Sequence, residues 1–259
     1  MSVVTRLRGF VDKQTKQVVE VGWLLQTDSA SFIWEAPQPI TQAPSVAPQH
    51  AKSVAYCPAV VDHEARLVEI PCPFDLELGF RFDDNGEPVL IDLAGDQSSV
   101  RLRHLRDMTA LVARKEWRNP NRPIIQITTP YTFVSDDNVY LVQLPPIQHY
   151  REPPLPGLLI GGRMPIDVWP RPLMWAFEWF DTKKSILLRR GEPWFYARFE
   201  PPNPSQRVRL VEAQMTPELK TYLDGIGGVT NYVKKTFSLF QTARQRRPKQ
   251  LLVKVQRKK

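Results

Sequence analysis

Four histidines and two cysteines are the side chains of this sequence best suited to metal or nucleophilic chemistry, and their spacing argues against both. His50, His63, His104 and His149 fall in four different segments, with no His-x-His or His-x-Asp pair to supply the local half of a two-His, one-carboxylate iron site. Asp62-His63-Glu64 is the densest group of ligand types; read on a strand, its neighbours point to opposite faces and do not converge on one ion. Cys57 and Cys72 make neither a disulfide framework nor a complete metal site, and read as buried reduced thiols. A G-x-S-x-G elbow and a phosphate loop ending in G-K-S/T are both absent. Gly157 to Arg163, GLLIGGR, reads as a turn between extended segments, because no helix follows to aim amides at a phosphate. Asp83-Asp84 and Asp136-Asp137 each fit a hairpin turn better than a paired acid and base. The expectation is no metal, no cofactor and no assignable catalytic residue.

Binding is the other chemistry that residue types can announce. In residues 186–200, ILLRRGEPWFYARFE, Trp194 and Tyr196 share one strand face with Arg189, Arg190 and Arg198 nearby, the pairing of rings and positive charge that holds single-stranded nucleic acid. The same alternation describes a strand packed on both faces, and a structural hairpin is the preferred reading. The second signal is charge. The net +8 comes from the C-terminus: of 35 basic residues, eight (Arg244, Arg246, Arg247, Lys249, Lys254, Arg257, Lys258, Lys259) lie after residue 243 with no acidic one among them, leaving 27 against 27 in the body. Such a tail reads first as a solvated end, and second as a polyanion contact.

The elements that must position these groups are mostly strands. With 25 prolines against 12 glycines, long helices are disfavoured. Residues 17–35 predict two strands about TDSAS, and 36–50 an extended proline-spaced loop. Phe74, Leu76, Leu78, Phe80 and Phe82 alternate with polar or small residues, and Asn85-Gly86 turns that strand into a hairpin ending at Leu93. Further strands fall at IIQITTPYTFV, NVYLVQLP and LMWAFEWF, the last apolar on both faces except Glu178.

One internal helix is predicted over 98–118, capped by Ser98 or Ser99, with Leu105, Met108, Leu111 and Val112 inward and Arg101, Arg103, Arg106, Arg114 and Lys115 outward. Thr216-Pro217-Glu218 starts a C-terminal helix that Gly225, Gly227 and Gly228 interrupt before a second stretch carrying Val229, Tyr232, Val233, Phe237 and Phe240. The fold class is thus α+β, mainly β: an antiparallel jelly-roll or sandwich-like body over 1–215, helices over 216–247 packed on it, and a basic tail over 248–259. No secretory leader and no apolar run long enough to span a bilayer is present, which predicts a soluble protein.

The stretch from CPAVVDHEARLVEIPCPFDLEL through LPGLLIGGRMPIDVWPRPLMWAFEWFDTKKSILLRRGEPWFYARFE resembles an uncharacterised family found in marine bacteriophages and some bacterial genomes. Its Pro-Gly-Leu and Gly-Gly-Arg turns, Trp-Ala-Phe-Glu-Trp strand and Arg-Gly-Glu-Pro hairpin carry the resemblance over roughly residues 53–247. That resemblance implies a phage-like origin, in a host cytoplasm or a virion, and no catalytic residue. ILLRRGEPWFYARF also has the strand, turn and aromatic strand that close jelly-roll and dUTPase-like folds, without the uridine-binding and catalytic Asp motifs of the dUTPases.

The first functional expectation is therefore a non-enzymatic phage accessory or structural protein that binds nucleic acid or an acidic partner through Arg244, Arg246, Arg247 and Lys249, or assembles with copies of itself. The alternative is a small-molecule or nucleotide-processing enzyme on a jelly-roll or dUTPase-like scaffold, in whose pocket His63, His104 or His149 meets carboxylates.

Overall fold

A computed structural model describes residues 17–26, 32–40, 54–229 and 236–256. Its strands in chain order are β1 (Val18–Leu25), β2 (Gln38–Pro39), β3 (Leu67–Pro71), β4 (Leu76–Phe82), β5 (Pro88–Asp92), β6 (Thr109–Leu111), β7 (Ile124–Thr128) and β8 (Tyr131–Val134). They continue with β9 (Tyr140–Leu144), β10 (Gly157–Leu159), β11 (Gly162–Pro165), β12 (Met174–Trp179), β13 (Ile186–Leu188), β14 (Pro193–Glu200) and β15 (Arg207–Glu212). The helices are α1 (Pro58–Glu64), α2 (Leu102–Met108), α3 (Pro217–Val229) and α4 (Thr236–Arg246). The protein is mainly β, as its proline-rich alternating sequence requires.

Four small sheets share the strands, in the orders β15-β1-β8, β10-β12-β7-β6, β11-β9-β14-β3-β2 and β13-β4-β5. Every pair is antiparallel except β1 with β15, which run parallel from Val18 beside Arg207 to Trp23 beside Glu212. The inner faces bury Trp175, Trp179, Trp194, Phe133, Phe177, Phe195 and Phe199 in one core, where Trp175 stacks on Phe177 at 4.8 Å between ring centroids. A second cluster joins α3 and α4 to the body through Trp169, Tyr222, Leu251 and Leu252. The Tyr222 hydroxyl donates to Val168 O and lies 3.0 Å from Ala243 O, tying α3 to the body and to α4.

The expected hairpin at 76–92 is present: β4 pairs with β5, and Gly86 takes the positive φ of 78° that the turn demands. The run 186–200 is not a hairpin. β13 pairs with β4 while β14 pairs with β3 and β9, so the turn at Arg189–Glu192 hands the chain from one sheet to another. Beside it the link from β3 to β4 makes the same bend. Cys72 N–H donates to Glu192 O and Gly191 N–H to Cys72 O, so the two crossings are held together. Pro71 is the last ladder residue of β3, and Pro73, with no N–H to give, follows it at the bend.

Two helical expectations and one strand expectation change. The helix over 98–118 shrinks to the seven residues of α2; Ser99 caps nothing, its hydroxyl donating to Asp75 O and accepting Asp75 N–H instead. After Met108 the chain turns extended because Thr109–Leu111 find ladder partners on β7, a tertiary choice that overrides the local period. α3 begins as expected, with Leu219 N–H donating to Thr216 Oγ1, but it runs through Gly225 and Gly227 without interruption. The part of the second helical stretch that carries Tyr232 and Val233 lies outside the described residues. The second strand expected over 32–35 is irregular chain.

The tail over 248–256 is anchored to the body rather than wholly solvated. Leu251 and Leu252 are buried, and Asp136 accepts both of their N–H groups as well as Arg247 Nη2. Asp136 is therefore a clamp on the C-terminal segment rather than a hairpin-turn residue, since β8 and β9 belong to different sheets. Farther on, Gln214 N–H donates to Val253 O and Val255 N–H to Glu212 O, adding the segment beside the end of β15.

Asp167, between β11 and β12, sits in the same region with only 8% exposure and one carboxylate oxygen without a hydrogen-bond partner. Burial pushes its pKa up, and Arg244 and Arg247 offset only part of that. A raised carboxyl pKa means that this group's contribution to stability is full below the unfolded value and lost as pH rises through the folded one. Asp167→Asn is expected to raise the melting temperature at about pH 7 and to leave it unchanged at about pH 3, below the ordinary Asp range. Calorimetry of the two proteins at the two pH values measures this.

Candidate functional site

On the outer face of the five-stranded sheet, register alone brings charged groups together. Arg163 on β11 and Arg198 on β14 both stand opposite Val142 of β9, so the two arginines occupy one row with a single strand between them. Glu200 is two residues farther along β14, hence on the same face, and stands opposite Tyr140. Its carboxylate spans the gap. Oε2 accepts from Arg163 Nε at 2.8 Å and Oε1 from Arg198 Nη2 at 2.8 Å. Arg163 also lies over the Tyr140 ring, with Cζ 3.6 Å from its centroid, which orients the guanidinium.

α1 and the turn after it supply a second wall. Asp62 lies one helical turn before Arg66 and accepts from Nε at 3.2 Å and from Nη2 at 3.1 Å. Arg66 Nη2 also donates to Pro204 O, tying this wall to the loop after β14. His63 and a proline rim of Pro201, Pro202 and Pro204 complete a cleft of about 800 Å³. The guanidinium of Arg163, helped by Arg198, holds the Glu200 carboxyl below its ordinary range. Three guanidiniums thus face two carboxylates, and each guanidinium retains N–H donors beyond those that the carboxylates use. Guanidinium N–H groups left over from these pairs are chemically suited to donate to an oxyanion.

Of the nine residues expected to bind, only Arg198 lies here. Trp194 and Tyr196 are buried to 1% and 2% exposure, so neither ring is offered to a base. Arg189 is exposed and turned to Glu152 O and Glu192, while Arg190 is exposed with its N–H on Asp75. Arg247 is consumed by Asp167 O, Pro248 O and Asp136. Arg244, Arg246 and Lys249 are exposed on and after α4. Arg66, Arg163 and Glu200 were not singled out by sequence. The Arg-x-Glu spacing of 198 and 200 on an alternating strand was the legible sign; the row shared with Arg163 needs the register.

The three described histidines do not converge. His63 is in the cleft, the His104 ring packs 6.0 Å from Phe32, and His149 is partly buried near Glu69; His50 lies outside the described residues. Asp62-His63-Glu64 is helical rather than extended, and its acids are divided between Arg66 and Gln148. Among the described residues no three metal-ligating side chains cluster. An apolar hollow of about 570 Å³ between α3 and α4, lined by Tyr222, Ile226 and Ala243, offers no comparable convergence of charge.

No family model matches the chain, and no curated protein matches it. No helix among the described residues is long and apolar enough to cross a membrane.

Proposed function

We propose that the protein is a non-enzymatic binding protein, of the phage accessory kind that its resemblance implies, whose cleft at Arg66, Arg163 and Arg198 receives an acidic segment of a partner protein. The body that carries the cleft is read as sandwich-like. One observation carries the reading: two arginines in one cross-strand row, with a third on the facing wall and His63 beside it. An acidic partner is favoured over nucleic acid because a strand of bases needs stacking platforms. The candidate rings Trp194 and Tyr196 are in the core, and one face of Tyr140 is taken by Arg163. A proline rim beside a guanidinium row suits an extended peptide with Asp or Glu side chains.

His63 does share the cleft with Asp62 and Glu200, as an enzyme would require. Arg163 and Arg198, however, hold the Glu200 carboxyl below its ordinary range, and Asp62 has both oxygens on Arg66, so neither carboxylate is aimed at a substrate proton.

Fluorescence anisotropy with a labelled Asp/Glu-rich peptide and a single-stranded oligonucleotide of equal charge tests the reading at about 50 mM and about 300 mM salt, conditions that differ in screening length. The peptide is expected to bind more tightly, to weaken with salt, and to lose about tenfold or more in affinity with Arg163→Ala plus Arg198→Ala. Tighter oligonucleotide binding that depends on the same arginines would move the partner to nucleic acid. Binding of neither probe removes the cleft as a site.

A further inference from the structure

We infer that Glu200 is an internal stand-in for the ligand: in the free protein its carboxylate occupies the place between Arg163 and Arg198 that a partner's acidic group takes on binding. This rests on reading the cleft as an anion site.

The row geometry carries the inference. Adjacent strands lie about 4.8 Å apart, so arginines two strands apart have Cα atoms about 10 Å from each other. The position between them in the row is Val142, a short apolar side chain that leaves the space above it to the guanidiniums. Glu200 reaches that space from the next row, presenting one oxygen to each arginine. Each contact uses a single N–H of a planar donor group whose preferred partner is a bidentate carboxylate. The arrangement satisfies the arginines without saturating them. Both guanidiniums stay accessible, with Arg163 55% and Arg198 33% exposed, and Glu200 itself is 33% exposed. A strand-end side chain with that exposure can swing aside by a rotamer change, and the incoming acidic group replaces the two ion pairs that Glu200 gives up.

The second pair in the cleft, Asp62 with Arg66, differs. There two guanidinium nitrogens meet two carboxylate oxygens within one helical turn, and Arg66 is further tied to Pro204 O. Arg66 is a fixed wall, while Arg163 and Arg198 form the exchangeable pair.

Glu200→Gln keeps the shape and removes the competing charge. It is expected to tighten binding of the Asp/Glu-rich peptide by about fivefold at low salt, the scale of one exposed ion pair. Asp62→Asn, which disturbs the fixed wall, is expected to give no such gain. Thermal unfolding of each variant verifies that the proteins compared are folded, and Glu200→Ala repeats the test without an amide in the cleft. If the wild type binds the peptide and both Glu200 variants bind it equally or more weakly, Glu200 is a positioning residue and the stand-in role is wrong, while the cleft stands. If neither the wild type nor the Glu200 variants bind, both ideas fall.

Discussion

Deleting residues 248–259 is expected to destabilise the protein severely, although by composition the segment is a basic tail with five cations and no acidic residue. Leu251 is 1% and Leu252 7% exposed, and truncating a buried leucine costs about 2–5 kcal/mol, so the two alone remove at least about 4 kcal/mol. That is a large share of the 5–15 kcal/mol or so that holds a typical domain together. Gly22 shows how closely the segment is fitted. A Cβ there would fall 2.4 Å from Leu252 Cδ1 and 2.9 Å from Ala213 Cβ, so β1 carries glycine where the C-terminal leucine crosses it. Deletion also strands Asp136, which would lose its two backbone donors. Lys249→Ala with Lys254→Ala is the control that removes charge and keeps the leucines. The ion pair of Lys254 with Glu20 is half exposed, so this variant should lose no more than about 1 kcal/mol. Urea unfolding of the three proteins checks the ordering. A truncated chain as stable as the full one would show that the segment is dispensable to the fold.

The basic tail illustrates what sequence reading misses. Counting eight cations after residue 243 is correct arithmetic, but charge and burial belong to different atoms of one segment. Leu251 and Leu252 bury themselves while Lys249 and Lys254 stay out, and nothing local distinguishes a two-leucine anchor from two leucines in a solvated end. Strands were legible where alternation was uninterrupted, as in β4, and where both faces are apolar, as in β12, because burial on one or two faces writes directly into residue type. Partners were not. The run 186–200 has two strands and a Gly turn, yet its ladders form with segments more than 40 residues away, since β13 and β14 each gain more by pairing with β4, β3 and β9 than with each other. The helix at 98–118 failed for a related reason: the apolar positions of its second half also suited a short edge strand on β7. The cleft is hardest of all. Its three arginines lie at positions 66, 163 and 198, and only the antiparallel register of β11, β9 and β14 makes neighbours of two of them.

Trp194→Ala is expected to cost about 3–5 kcal/mol, the range for removing a large buried aromatic, because the ring is part of the core rather than a platform for bases. It is 1% exposed and packs edge-on against Phe74 at 5.5 Å and beside Trp175 at 6.1 Å between centroids. Its indole nitrogen is buried without a hydrogen-bond partner, so the site rewards ring volume and not the N–H. Trp194→Phe keeps most of that volume and deletes the unpaired donor; the two effects oppose, and the net loss should stay under about 1.5 kcal/mol. A stacking platform would behave in the opposite way. There, alanine would leave stability unchanged and abolish oligonucleotide binding, with phenylalanine retaining it. Urea unfolding and oligonucleotide titration of the two variants therefore separate core from surface in one experiment. The expected result, a large stability loss for alanine, a small one for phenylalanine and no selective loss of oligonucleotide binding, assigns Trp194 to the core and removes it from any binding surface.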